Sequence, residues 1–156
     1  MIGTYEITLR RSTAADRALL EAVYRSTREA ELALVQWDDA AKRAFVAQQF
    51  AAQDKHYREH YPGATLDVIE ADGEPAGRLY VHWGDSDIRI MDIALLPTFR
   101  GRGIGTRLLR ELLDAGRASR RSVSIHVERG NPAQNLYERL GFRPVAEHGI
   151  YVLMAC

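Results

Sequence analysis

The chain has 156 residues, of which 46% are hydrophobic and 27% charged, the proportions of a globular chain that buries one core rather than of a disordered, collagenous or membrane-spanning one. Its 21 acidic residues balance its 21 Lys and Arg, so no overall field draws it to nucleic acid or to a membrane surface. The one cysteine, Cys156, excludes a disulfide framework within the chain and is read as functionally silent. The opening MIGTYEITLRRS is too short and too polar for a signal h-region, and no apolar run approaches membrane-spanning length. The expectation is a single cytoplasmic domain over residues 1–156.

In chain order, Tyr5 to Leu9 alternates as a first strand. Thr13 with Asp16 three residues on reads as a helix start, followed by an apolar stripe of Leu19, Leu20, Val23 and Tyr24. From Ser26 to Trp37 helix and loop are both open. Asp38 or Asp39 caps a longer helix with Val46, Phe50, Tyr57 and Tyr61 on one face, ended by Pro62-Gly63. Thr65 to Glu70 is a strand, Ala71-Asp72-Gly73-Glu74 a hairpin turn, and Gly77 to Trp83 its partner. A central apolar strand then runs from Ile90 to Leu96 and stops at Pro97.

Arg100-Gly101-Arg102-Gly103-Ile104-Gly105 leads straight into a helix whose Leu108, Leu109, Leu112 and Leu113 repeat at helical spacing. Strand, glycine turn and helix in succession make an anion cradle, because first-turn N–H groups and the positive end of the macrodipole point at one spot. Glycine lets a bulky group approach the backbone, and arginine offers bidentate donors to phosphate oxygens. The dinucleotide pattern G-x-G-x-x-G fails at Thr106, and the ATP-type loop fails for want of a lysine. After the cradle helix, Ser122 to Val127 is a strand, residues 132 to 140 a short helix stopped by Gly141, and Phe142 to Ala146 and Tyr151 to Met154 the last strands.

Two blocks of residues carry a resemblance. Arg100, Gly103 and Gly105 fit Q/R-x-x-G-x-G/A between a strand and a leucine-rich helix, and Asn131-Pro132-Ala133-Gln134-Asn135-Leu136-Tyr137-Glu138-Arg139-Leu140-Gly141-Phe142 fits N-x-A-x-x-L-Y-x-x-L-G-F. In these the sequence resembles the GNAT superfamily of acyl-CoA-dependent N-acetyltransferases, over the C-terminal half of the chain. The resemblance implies an α/β fold of order β-α-α-β-β-β-α-β-α-β-β. Its mixed, mostly antiparallel sheet is flanked by helices, and strands four and five splay apart. It implies acetyl-CoA as the acyl donor, with the amides of Ile93, Ala94 and Leu95 beside the thioester. Arg100, Gly101, Arg102, Gly103, Ile104, Gly105 and Thr106 would lie around the pyrophosphate, and Asn131 and Asn135 along the pantetheine. Tyr137 falls at the position of the general acid that reprotonates the thiolate, or else packs its ring beside Phe142.

The base is left open. Arg89 stands where some family members carry a strand-four glutamate. Asp92 is either a base acting through water or a buried hydrogen-bond acceptor, and His126 matches a strand-five base position or is structural. A water chain to solvent is the third route. Glu29, Glu31, Asp38, Asp39, Asp85 and Asp87 could line the acceptor site with negative charge, with Trp37 and Trp83 as an apolar wall. The expected acceptor is a small-molecule or amino-acid-like primary amine. A protein N-terminus or lysine is the alternative within the enzyme class, and a non-catalytic coenzyme A sensor the alternative outside it. No metal is expected: His56 and His60 lack an H-E-x-x-H context and a third ligand. Pairing of two copies through a terminal strand is left undecided.

Overall fold

The computed structural model describes residues 4–156. Its elements are β1 (Ile7–Arg11), α1 (Arg17–Leu32), α2 (Asp39–His60), β2 (Thr65–Ala71), β3 (Glu74–Trp83), β4 (Asp87–Leu95), α3 (Ile104–Ser119), β5 (Ser122–Glu128), α4 (Ala133–Arg139), β6 (Arg143–His148) and β7 (Tyr151–Ala155). They form one sheet of order β1-β2-β3-β4-β5-β7-β6, antiparallel throughout except for the β4–β5 pair. Element order and sheet type agree with the expected mixed α/β architecture. Among the described residues no helix is long and apolar enough to cross a membrane.

Local chemistry sets the boundaries. Thr13 accepts from the Ala15 amide while the Asp16 carboxylate accepts from the Thr13 amide, a reciprocal cap that opens the turn leading into α1. Asp38 caps α2 through the Ala41 amide. α1 runs on through Ser26 to Leu32, the stretch whose weak pattern left helix and loop open; Leu32 is buried beside Phe50 and Val46 and carries the helix that far. β1 begins at Ile7 rather than Tyr5, because its partner β2 ends at Ala71 where Asp72 and Gly73 turn the chain with positive φ. Tyr5 packs instead on Phe99, whose short 3-10 turn after β4 had no sequence signal beyond Pro97.

The sheet separates two apolar layers. On one side Leu108, Leu109, Leu112 and Leu113 of α3 are buried with Ile88, Ile90, Val123 and Ile125, each leucine stabilising the fold by about 2 kcal/mol. α3 meets β5 closely at Gly116, where an added Cβ would stand 2.7 Å from Val123 Cγ2 and 2.8 Å from the Arg121 carbonyl. On the other side Leu20, Tyr24, Val46 and Phe50 of α1 and α2 cover Val68.

Arg78 of β3 lies in this second layer with 2% of its side chain exposed. Its Nη2 donates to Asp92 Oδ2 at 2.6 Å and to Gln53 Oε1 at 2.8 Å, and its guanidinium lies 5.0 Å from the Tyr80 ring centroid and 5.7 Å from that of Tyr24. One cation therefore joins β3, β4, α1 and α2. Removing one partner leaves the other charge uncompensated, so Arg78→Ala should lower the unfolding free energy by about 3–5 kcal/mol. Arg78→Met with Asp92→Leu should recover most of that loss, both effects being read from urea midpoints.

Candidate active site

β4 and β5 pair only from Asp87↔Ser122 to Ile90↔Ile125. The register of β4 against β3 slips at the next residue: Val81 faces Ile90 and Tyr80 faces Asp92, so Met91 is bulged out of the ladder. Past the bulge the two parallel strands part, as expected of strands four and five. The edge of β4 from Met91 to Leu95 then has no ladder partner on that side, which leaves its outward-facing amides open to a ligand.

A cleft of about 860 Å³ opens on this edge, lined by Ile93, Ala94, Leu95, Arg100, Gly101, the 103–106 turn, Asn131 and Tyr137. Gly103 is the N-cap of α3 with φ 81° and offers no side-chain cap, so the first-turn amides have no partner from it. A Cβ added at Gly101, Gly103 or Gly105 would meet no protein atom within 4 Å. Bare backbone donors, a helix start and empty space above three glycines fit a diphosphate on an extended carrier. The arginines act differently from the expectation. Arg100 lines the cleft, but its Nε donates to the Leu95 carbonyl at 2.9 Å and its Nη2 to Ser26 Oγ at 3.1 Å, bracing the end of β4 against α1. Arg102 turns away, donating to the Thr98 carbonyl at 3.1 Å and lying over the Tyr5 ring. Asn131 lines the cleft and its Oδ1 accepts from the Ala133 amide at the start of α4, whereas Asn135 is exposed and outside the lining. Arg139, a variable position of the second block, lines the cleft and was missed.

A second cleft of about 670 Å³ lies across β4, between that strand and α2. Gln49, Gln53, His56 and Tyr57 reach it at helical spacing, and they meet Arg89, His126 and Tyr151 from the sheet. The expected anionic lining is not there. Among the described residues no aspartate or glutamate lines this cleft: Glu29 borders the first cleft, and Asp85 and Asp87 edge a separate depression beyond Arg89. Trp37 packs on Phe45, and Trp83 donates to Thr65 Oγ1 at 3.1 Å under the Arg121 guanidinium. Both indoles are thus spent on local packing and do not form a wall of this cleft. His56 and His60 stack at 4.2 Å between centroids, and among the described residues no group of three ligand-type side chains comes together.

A smaller depression in the gap between the strands, lined by Asp92, His126, Asn131, Tyr137 and Tyr151, shares Asn131 and Tyr137 with the first cleft and His126 and Tyr151 with the second. Tyr137 is buried with its ring 5.8 Å from that of Phe142, so it both packs and faces the gap. Burial, helped by the negative charge of Asp92, pushes its phenol up to about 12. Asp92 Oδ2 is engaged by Arg78 and, at 3.4 Å, by the Tyr57 hydroxyl, which also contacts the Met91 carbonyl at 3.3 Å. His126 Nδ1 lies 3.4 Å from Arg89 Nη1. Arginine only donates, so Nδ1 accepts and the ring proton sits on Nε2. Burial, with the nearby Arg89 and His148, lowers the His126 pKa below that of free imidazole.

A bulged strand parted from its parallel neighbour, with a helix-start anion cradle at one mouth and a separate cleft at the other, is the architecture of an acyl-transferring domain. Residues 18–142 match the Acetyltransferase (GNAT) family, and the chain belongs to that family. An N-alpha-acetyltransferase RimI of Mycobacterium tuberculosis is 34% identical over 82% of this chain and 77% of its own length. An N-alpha-acetyltransferase of Sulfurisphaera tokodaii is 31% identical over 58% of this chain and 62% of its own. The chain thus spans less than two thirds of that relative, and 64% of one from Bacillus subtilis. The PaiA N-acetyltransferase of Thermoplasma acidophilum, crystallised with coenzyme A, superposes with a TM-score of 0.70 at 15% identity, over 96% of this chain and 98% of that one. Acetyl-coenzyme A is the acyl donor that goes with family membership.

Gly105→Val should lower coenzyme A affinity by at least about tenfold, since its branched side chain fills space that only a ligand would use. Calorimetric titration checks the affinity, and an unchanged melting temperature separates blockage from unfolding.

Proposed function

We propose that the chain acetylates the α-amine of an amino-acid-like acceptor, by direct attack while donor and acceptor are bound together. The observation that carries this reading is the depression beside Tyr137, which borders both the first cleft and the cleft between β4 and α2 through shared lining residues. The first-turn amides of α3 and the Gly101–Gly105 backbone would hold the diphosphate, and the open edge of β4 from Ile93 to Leu95 would bind the pantetheine arm. Bound acetyl-coenzyme A supplies an acetyl thioester whose carbon the amine attacks and whose sulfur leaves as thiolate. The unpaired amides of β4 then stabilise negative charge as it develops on the carbonyl oxygen. Tyr137 donates its phenolic proton to the departing sulfur.

Asp92, through a water in the gap, is the better placed proton acceptor. Its Oδ2 is taken by Arg78, but the side chain borders the gap where the amine arrives. His126 carries its proton on the nitrogen that Arg89 leaves free, so in this arrangement it donates rather than accepts. A peptide N-terminus is the second reading, supported by relatives that are named N-alpha-acetyltransferases.

Tyr137→Phe should lower kcat by about 10²–10⁴ with acetyl-CoA binding unchanged, measured by thiol release and by calorimetry. A phenol at about 12 stays protonated throughout the alkaline assay range, so the wild-type rate should show no falling limb up to pH 10. Asp92→Asn should lower kcat by at least about 10² and His126→Gln by less than about tenfold. Acetyl-CoA affinity and urea midpoints must accompany both, because Asp92 also holds Arg78.

A further inference from the structure

We propose that the acceptor carries a carboxylate close to the amine that is acetylated, and that Arg89 binds it. This rests on reading the cleft between β4 and α2 as the acceptor site.

The lining of that cleft includes Arg28, Arg89, His56, His126 and His148 and no acidic side chain. Arg28 is already neutralised, with Nη2 2.8 Å from Glu31 Oε2 and Nη1 donating to the Tyr24 hydroxyl. Among the described residues that line the cleft, Arg89 is the less neutralised of the two guanidinium cations, its only ion pair being the long one to Asp87 through Nε, which leaves both Nη groups without a carboxylate. The carboxylate nearest to it, Asp87, is 3.8 Å away and outside the lining. Both oxygens of Asp87 are occupied by hydroxyls, Oδ1 by Ser122 and Oδ2 by Ser124, each at 2.6 Å.

Arg89 is also held in place. Its Nε donates to Ser124 Oγ at 2.6 Å, Ser124 being 3% exposed, and Nη1 meets His126. Asp87, Ser124 and Arg89 form a chain in which the buried serine donates to the acid and accepts from the guanidinium. Of the five N–H groups of a guanidinium, these contacts use two and leave three for a ligand. His126 lines the same cleft beside it. Strand geometry puts residue 89 about 7 Å along β4 from the bulge at Met91, within reach of an arginine side chain. A carboxylate on Arg89 and an amine in the gap therefore suit one small amino acid, or the first residues of a peptide that begins with an acid. Polyamines and aminoglycosides, which bring only positive charge, suit the cleft poorly.

The test uses matched acids and amides. Acetyl transfer is followed by thiol release and by mass on free L-amino acids against their α-carboxamides, and on tetrapeptides with Asp or Glu against Asn or Gln at positions one and two. The amino-acid pairs report an α-carboxylate and the peptide pairs a side-chain carboxylate. In at least one set the acid should show a KM about tenfold or more below its amide, the effect of one charge-assisted contact. Arg89→Gln should erase the difference by raising the KM of the acid alone, and Arg89→Lys should restore part of it; acetyl-CoA affinity should not move. Equal KM values for acid and amide, or an acid preference that survives in Arg89→Gln, overturn the proposal. The same pairs are titrated calorimetrically into the coenzyme A-saturated protein. If no member is acetylated, the transferase reading fails by itself. Acid-selective binding lost in Arg89→Gln then upholds the Arg89 site, and its absence overturns it.

Discussion

A guanidinium and a carboxylate inside an apolar layer have to meet, and the pairing of Arg78 with Asp92 is the constraint on which the working end of the sheet depends. Side chains alternate along a strand, so with Ile88 and Ile90 turned toward the leucines of α3, an unbroken β4 would turn Asp92 toward them as well. The extra residue at Met91 resets the alternation. Ile88, Ile90, Ile93 and Leu95 keep their apolar side, and Asp92 is delivered to Arg78 on the other. The same extra residue ends the pairing of β4 with β5. Satisfying a buried charge and opening the sheet are thus one structural event.

From that opening follows a division of labour between the two sides of β4. One side is backbone: glycines, a helix start and a strand edge, which suits a carrier recognised by its diphosphate and its amide-bearing arm. The other side is side chains, from α2, β4, β5 and β7, which can differ with the acceptor while the first side stays as it is. Tyr137 belongs to both because α4 brings it in at the seam. The burial that raises its phenol also secures its ring against Phe142, so packing and proton donation are compatible roles of one residue.

Much of this was legible in the sequence where the signal is local. The glycine turn after a strand, the leucine spacing of α3, the Thr13–Asp16 cap and the hairpin at Asp72-Gly73 each depend on neighbouring residues alone. The bulge left a trace too, since apolar residues at 88, 90, 93 and 95 with one extra position between the pairs break a period of two. What could not be read were contacts between distant segments. Arg78 with Asp92, Arg100 reaching Ser26, and Arg89 seated on Ser124 join residues 14, 74 and 35 positions apart. The acceptor side is the least legible, because acids that flank turns, such as Asp85 and Asp87, look in sequence like a lining and lie outside the cleft. Of the α2 side chains that do line the cleft, Tyr57 belongs to the apolar stripe, whereas Gln49, Gln53 and His56 have a polar character that pattern alone assigns to solvent.

The close seating of α3 on β5 at Gly116 has a mechanical result. A helix of 16 residues is a rod about 24 Å long, and here its far end is wedged against the backbone of Arg121 and the methyl of Val123. The amides at its near end consequently cannot retreat or swivel independently of the strand that borders the gap. Whatever anion docks there meets donors already at their final separation from the sheet, and little freedom remains to be surrendered when it arrives.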